Sequence, residues 1–238
     1  MVKQHKRWLP LESNPEVMND FAAKLGLNTS AVAFCDVFGL DEDLLAMVPQ
    51  PVLAVLLLFP ITEESEKAKN EEEARISRDG QEVSSNLYYM KQTIGNACGT
   101  IGVLHAVCNN SEKLPVVPGS FFSDFITATS GMTAEERGKY LEDPPEGAPD
   151  IEDAHKEAAS AGDTAPPSLD EVPDLHFVCF VEKDGGLYEL DGRKASAIFH
   201  GPATPETLLQ DSIRAVRSFM ERTNSIQFNI IALAAAQQ

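Results

Sequence analysis

Leu175-His176-Phe177-Val178-Cys179-Phe180-Val181, then Glu182-Lys183-Asp184-Gly185-Gly186, then Leu187-Tyr188-Glu189-Leu190-Asp191, is the stretch on which the fold turns. Two runs of large apolar residues flank a Gly-rich turn signal, so the segment reads as a β-hairpin with strands at 175–181 and 187–191. If Asp184-Gly185 is a two-residue loop, paired residues sum to 369 and Arg193 falls opposite His176. Asp191 then shares the face of His176, one diagonal step away and within side-chain reach. A three-residue loop would instead send Asp191 to the other face. Read singly, His176 is a satisfied core histidine and Asp191, before Gly192, is a turn residue.

The flanking sequence supplies the rest of a mixed α and β chain. Val52 to Leu58 is an apolar run of strand length, read as a buried central strand, and Ala31 to Phe38 and Ile226 to Leu233 read as further strands. Ser13 and Glu16 have capping-box spacing, opening a helix to about Leu25 that Gly26 stops. Asp41 to Met47, Ser120 to Thr129, Thr133 to about Leu141 and Thr204 to about Glu221 read as helices. Thr62 to Glu82 is acidic and Lys-rich with almost no large apolar residues, which reads as a solvated helix or loop with no further role. The expected class is α+β: a central, mainly antiparallel sheet flanked by helices. Residues 142–174 carry six prolines, many acidic and small residues, and no periodicity. A structureless loop of that length is usually functional. The 60-odd residues after it would be marginal alone, so residues 1–238 read as one domain with a long surface loop.

A net charge of −18 over 238 residues argues against binding nucleic acid or an anionic membrane, and favours partners with basic surfaces. No apolar run approaches the roughly 20 residues that span a bilayer, and no secretory signal precedes the first helix. Cys35, Cys98, Cys108 and Cys179 are too widely spaced for a metal site or a disulfide framework. The expected setting is a reducing one, the cytoplasm with the nucleus as a further candidate, with no metal and no cofactor.

Cys98 stands apart from the other cysteines. In Gln92-Thr93-Ile94-Gly95-Asn96-Ala97-Cys98-Gly99-Thr100, Gly95 and Asn96 read as a helix start, and Ile101, Val103, Leu104 and Val107 continue the helix. Cys98 then lies in a first turn, where unpaired N–H groups and the helix dipole favour a thiolate. A base must come within about 3 Å. His105 lies about 10 Å along the helix from Cys98, too far for a hydrogen bond, and reads as a packing residue. His5, His155 and His200 fit surface or loop roles. That leaves His176, with Asp191 to hold the imidazole in place, and Gln92 as either a plain loop residue or an oxyanion donor beside the Cys98 amide.

These residues resemble the ubiquitin carboxyl-terminal hydrolases, papain-like thiol proteases, and most closely their short single-domain type. The likeness runs through Arg7-Trp8-Leu9-Pro10-Leu11-Glu12, Asn14-Pro15-Glu16-Val17, Val52 to Thr62 and Lys91 to Ala106. It continues through Asp174-Leu175-His176-Phe177, Leu187 to Lys194 and Phe228 to Leu233. The resemblance implies a papain-like fold with a knotted backbone, a rare exception to the unknotted rule. It also implies a deubiquitinating hydrolase that cuts small or flexible adducts from the C-terminal glycine of ubiquitin, in ubiquitin recycling and precursor processing. Cys98 would be the nucleophile, His176 the base, Asp191 the orienting acid and Gln92 the side-chain oxyanion donor.

By the same resemblance, the loop at about 142–174 would cross over the active site and restrict which conjugates enter. Ubiquitin would touch Pro10, Leu11, Glu12, Ser13, Asn14 and Pro15. It would also touch Ala159, Ser160, Ala161, Gly162, Asp163, Thr164, Ala165 and Pro166, and Ser225, Ile226, Gln227, Phe228, Asn229 and Ile230. The expected partner is ubiquitin, with ubiquitin-like modifiers as further candidates, acting on a monomeric enzyme. The acidic surface would steer and dock ubiquitin's basic tail. The rival readings are a ubiquitin-binding or ubiquitin-stabilising protein with little turnover, and a peroxide-sensing cysteine.

Overall fold

The computed structural model describes residues 6–164, 174–223 and 226–236. In chain order the elements are α1 (Pro15–Lys24), β1 (Val32–Asp36), α2 (Glu42–Leu45), β2 (Val52–Pro60), α3 (Glu63–Asp79), α4 (Cys98–Asn109) and α5 (Phe121–Thr129). They continue with α6 (Ala134–Glu142), α7 (Glu152–Ser160), β3 (Leu175–Lys183), β4 (Gly186–Leu190), β5 (Ile198–Pro202), α8 (Leu208–Thr223) and β6 (Asn229–Ala235). The six strands form one sheet in the order β1-β6-β2-β3-β4-β5, and every pairing is antiparallel. The α+β class and the mainly antiparallel sheet therefore hold.

The sheet is buried on both faces, which is why β2 reads as a continuous apolar run. Along it Ala54 and Leu56 join the core under α1, α4 and α5, while Val55, Leu57 and Phe59 join the core under α8. β3 divides in the same way, with Phe177, Cys179 and Val181 on one side and Val178 and Phe180 on the other. Each fully buried Leu, Val or Phe contributes about 1.5–3 kcal/mol relative to an exposed one. This two-sided burial fixes the strands that frame the functional site.

The β3–β4 hairpin has the two-residue loop. Cys179 pairs with Leu190 and Lys183 with Gly186, and Asp184 and Gly185 take the positive φ values of 50° and 81° that such a turn requires.

Four local expectations change. The N-cap of α1 is Asn14, whose Oδ1 accepts the Glu16 amide at 2.9 Å, while Ser13 instead donates to Asn229 Oδ1 at 2.6 Å. Within the stretch expected to lack structure, α7 buries His155, Ala158 and Ala159. Its apolar face is built from alanines, too short to register as a hydrophobic period. β5 replaces the turn expected at His200, because Gly201 and Pro202 are tolerated at the end of an edge strand. Thr62 to Glu82 contains the helix α3, capped by Thr62 and Ser65, and Glu66, Glu72 and Glu73 on it meet residues 193–195 rather than water alone.

Candidate active site

The hairpin brings the first two site residues together. His176 sits near the start of β3 and Asp191 just past the end of β4, and the His176 Nε2 donates to Asp191 Oδ1 at 2.7 Å. Both side chains are buried. The strand pairing stops at Leu190, so Arg193 does not sit opposite His176. The chain instead turns at Asp191, where the Arg193 amide also donates to Asp191 Oδ1 at 2.9 Å and the Lys194 amide donates to the Asp191 carbonyl at 2.9 Å. Phe59 meets the His176 ring edge to face at 5.8 Å and walls it from the other side.

Cys98 is the first residue of α4, so its amide has no acceptor within the helix. The helix packs against β2 and β3 through residues that permit close approach. A Cβ on Gly99 would stand 2.9 Å from the Leu11 Cβ and 3.4 Å from the Phe177 ring. A glycine there lets the first turn of α4 lie against the His176-Phe177 end of β3. Cys98 itself is half-buried. Asn96, two residues earlier, adopts φ 62°, the left-handed conformation that turns the chain into the helix.

The electrostatics are mutual. Burial alone would raise the Cys98 thiol, but pairing with the His176 imidazole and the amides of Phe177 and Gly99 outweighs it and lowers the pKa below that of an ordinary cysteine. Burial would likewise lower the His176 pKa, yet the Asp191 carboxylate, with help from Cys98, raises it to about 9. Asp191 is held down at about 2, because His176, the Arg193 amide and Lys194 overcome the burial that would raise it. With Nε2 bonded to Asp191, the imidazole has Nδ1 left for the sulfur. By contrast, burial pushes Cys108 up to about 12 and Cys179 higher still, and raises Cys35.

Gln92 is tied to the Asp191 turn. Its amide donates to the Gly192 carbonyl at 3.0 Å, and a Cβ on Gly192 would come within 2.9 Å of both the Cβ and the backbone nitrogen of Gln92. The Gln92 Nε2 donates to the Ile94 carbonyl at 3.2 Å, which uses one of its two hydrogens, and its Oε1 is buried without a partner.

A cleft of about 350 Å³ opens at Cys98. Pro10, Leu11, Glu12 and Ser13 form one wall, Ala159 and Thr164 another, and Leu58, Leu175, Phe177 and Asn229 complete it. Glu12 links two of these walls: its Oε2 accepts from the Thr164 amide at 3.0 Å and the Thr164 hydroxyl at 2.7 Å, with Gly162 close beneath. Asn14 reaches both Glu12 and Asp163, at 3.3 and 3.5 Å.

Not every expected contact faces this space. Asn14 and Pro15 chiefly start α1, and Ser160 belongs to α7 rather than to a loop, its hydroxyl bonding back to Lys156, while Ala159 of the same helix does line the cleft. The amide of Ala161 closes the end of α7. Ile230 is buried in β6, whereas Ile226 and Gln227 are exposed and Phe228 half-buried. Ala165, Pro166 and Ser225 lie outside the described residues.

The other described histidines are structural. His105 is buried, stacks on Tyr89 and accepts the Met90 amide at its Nε2 at 3.1 Å. His155 is buried too, against the surface role expected of it. It stacks on Trp8 and bonds the Leu9 carbonyl at 2.8 Å and the Thr100 hydroxyl at 2.7 Å. His200 is half-buried and pairs with the buried Glu189 at 2.8 Å. Both were misread because their sequence neighbours are polar, while their partners come from distant segments. Sequence reasoning also missed Phe177, whose ring lines the cleft and whose amide serves the sulfur. Its position directly after His176 was the available signal.

A model of the family described as ubiquitin carboxyl-terminal hydrolase, family 1, matches residues 8–221. Ubiquitin carboxyl-terminal hydrolase 3 of Arabidopsis thaliana is 48% identical over 230 residues, 96% of this chain and 94% of that protein. Ubiquitin carboxyl-terminal hydrolase isozyme L1 of Rattus norvegicus is 41% identical over 228 residues, 95% of this chain and 98% of that one. The catalytic domain of Trichinella spiralis UCH37, solved bound to ubiquitin vinyl methyl ester, matches with a TM-score of 0.72 at 20% identity, covering 97% of this chain and 96% of that one. This last likeness shows the fold. The family match over most of the chain, with relatives this similar over nearly all of their length, shows that the chain belongs to family 1 of the ubiquitin carboxyl-terminal hydrolases.

Proposed function

We propose that Cys98, His176, Asp191 and Gln92 carry out acyl transfer from the C-terminal glycine of ubiquitin. The observation that carries this reading is the buried His176–Asp191 bond of 2.7 Å beside a cysteine of lowered pKa at a helix start. Such a set stores the reactive form in advance. Asp191 fixes the imidazole with Nε2 as a donor and stabilises its cation, and the imidazolium in turn stabilises the Cys98 thiolate.

In the proposed reaction the thiolate attacks the carbonyl carbon of the terminal glycine. Negative charge moves to the carbonyl oxygen, which takes hydrogen bonds from the Cys98 amide and from Gln92 Nε2. The free hydrogen on Nε2 supplies the second bond once the side chain turns toward the cleft. His176 gives its Nδ1 proton to the departing nitrogen or sulfur, the bond to the leaving group breaks, and a thioester remains. Water then attacks the thioester as His176 takes up one of its protons, the carbon–sulfur bond breaks to return the Cys98 thiolate, and the new carboxylic acid loses the other proton to solvent as ubiquitin leaves as the carboxylate.

Ubiquitin as substrate follows from the family and from the ubiquitin derivative bound to the related UCH37. Preference for small or flexible adducts is supported by the walls of the cleft, which the Glu12–Thr164 bonds draw together. A second contact region is supported by an exposed apolar patch: Phe38 is 73% and Ile226 90% exposed, bordering a groove of about 410 Å³ with Phe228 and Ile230.

The test is hydrolysis of a fluorogenic amide of the ubiquitin C-terminus, with capture of the enzyme by an electrophilic ubiquitin. The reading requires turnover by the parent, its loss in Cys98→Ala, and a covalent adduct on Cys98 alone. Tight ubiquitin binding by both proteins with no turnover by the parent would replace it with the ubiquitin-stabilising reading.

A further inference from the structure

Helix α3 has the composition of a solvated helix, yet one side of it faces the turn that carries Asp191. Arg193 and Lys194 follow Asp191, and each meets an α3 carboxylate. The Arg193 guanidinium pairs with Glu66, and the Lys194 ammonium bonds Glu72 Oε2 at 2.6 Å. One residue further on, the Ala195 amide donates to Glu73 Oε1 at 3.0 Å. Three successive residues are thus gripped by one helix. The seven-residue step from Glu66 to Glu73 puts both on one helical face, with Glu72 beside it. A narrow cavity of about 30 Å³ is bordered by Glu66 and Glu72 from the helix and by Asp191 and Arg193 from the turn.

The opposite side of the turn is fastened as firmly. Lys194 Nζ also bonds Glu189 Oε1 at 2.6 Å inside the protein, and Glu189 Oε2 in turn bonds His200 at 2.8 Å. The Tyr89 hydroxyl stands 2.7 Å from the Asp191 carbonyl and 2.6 Å from the Lys194 carbonyl, which Lys91 also meets. A lysine buried to this extent is costly, and replacing such a network with apolar side chains would often be neutral or stabilising. What the network does fix is the position of residues 191–195.

We propose that α3 is a brace for the Asp191 turn, with Glu66, Glu72 and Glu73 as positioning residues that hold the Asp191 carboxylate against His176. The proposal rests on the reading of Asp191 as the acid that orients His176. The α3 carboxylates touch no reacting atom. They act through Arg193, Lys194 and the Ala195 amide, and a slack turn lengthens the His176–Asp191 bond. The imidazolium is then less favoured, and the thiolate it stabilises becomes scarcer at a given pH.

The experiment measures the pH dependence of Cys98 alkylation by iodoacetamide, read on the Cys98 peptide, together with kcat and KM for the fluorogenic ubiquitin amide. The full-length variants are Glu72→Gln, the double Glu66→Gln/Glu73→Gln, Glu66→Arg, the swap Glu66→Arg/Arg193→Glu, and Asp191→Asn as reference. The brace predicts that the alkylation midpoint moves toward that of an ordinary thiol in the first three, in the same direction as Asp191→Asn and by less. For each pH unit by which the midpoint comes to lie above the assay pH, kcat/KM falls roughly tenfold, with KM unchanged. The swap restores both.

Alkylation profiles that superimpose on the parent while Asp191→Asn moves would overturn the brace and leave the role of Asp191 intact. An unmoved profile in Asp191→Asn would overturn that role, and the brace with it. Melting curves run in parallel: a variant whose only defect is a smaller folded fraction, with the parental profile in what remains folded, counts against the proposal.

Discussion

Replacing Asp191 with asparagine removes one charge and little else. The new side chain can still accept from His176 Nε2 and from the Arg193 amide through its oxygen, so the geometry of the turn is largely retained. What disappears is the anion that raises His176 from an ordinary 6.5 to about 9 against the pull of burial. That difference corresponds to roughly 3 kcal/mol in favour of the imidazolium. Burial persists in the variant, so the His176 pKa should fall to the ordinary value or lower, and the Cys98 pKa should rise with the loss of its cationic partner. By the proposed mechanism, kcat/KM in the parent should be limited on the acid side by protonation of Cys98 and on the alkaline side by loss of the His176 proton near pH 9. In Asp191→Asn the two limbs should move toward one another and the plateau should drop by about 10²-fold or more. The assay is the pH–rate profile on the fluorogenic ubiquitin amide, with alkylation of Cys98 as the substrate-free control. An alkaline limb still near pH 9, with a plateau within about threefold of the parent, would refute the coupling.

Three further outcomes follow from the same coordinates. His105 and His155 are buried and neutral, each with a pKa lowered by burial to about 4 against 6.5 when free. Between these values the unfolded chain takes up protons that the folded chain refuses, so the stability these two histidines contribute is full above pH 6.5 and is lost as pH drops toward 4. The slope is about 1.4 kcal/mol per pH unit for each histidine, and urea midpoints should show one such step removed in His155→Gln. Gly192→Ala places a methyl 2.9 Å from the Gln92 backbone nitrogen, which cannot yield as a side-chain tip would. It should cost about 1–3 kcal/mol by thermal melting and lower kcat more than KM, since Gln92 and Asp191 both move. Phe38→Asp alters an exposed side chain, so melting should be unchanged, while KM for the ubiquitin amide rises about thirtyfold and kcat holds if this patch carries a binding hot spot.

The hairpin was readable because two local rules agree there. Asp184-Gly185 accepts positive φ and apolar runs flank it on both sides; of the two loop lengths the sequence left open, the structure takes the two-residue one, with Cys179 opposite Leu190 and Lys183 opposite Gly186. β2 was readable because two-sided burial leaves an unbroken apolar run. β5 and α7 were not. The first contains His200, Gly201 and Pro202, residues that punctuate most chains and are acceptable only because β5 is an edge strand. The second buries alanines and a histidine, and the reason His155 is inside lies at Leu9 and Thr100, in other segments.

The site divides along the same line. Asp191 could be placed beside His176 because a single turn joins their strands, so the geometry is local. Cys98 lies far from both in sequence, and spacing alone offered only a helix start and the elimination of His105. The case of α3 goes further: its charges read as a solvated helix, which most of it is, and nothing in its own sequence marks the one side that meets the Asp191 turn. A carboxylate in a row of carboxylates looks the same whether it meets water or a buried lysine. Lys194 and Glu189 would each be prohibitively costly inside the protein alone, and they become tolerable only as a set with Glu72 and His200. An ionic set of that kind adds little net stability, so its retention beside Asp191 is better explained by what it holds in place. Arg193 and Lys194, two cations immediately after the proposed orienting acid, were the sequence signal, and their partners lie more than a hundred residues earlier, on the Glu-rich helix α3.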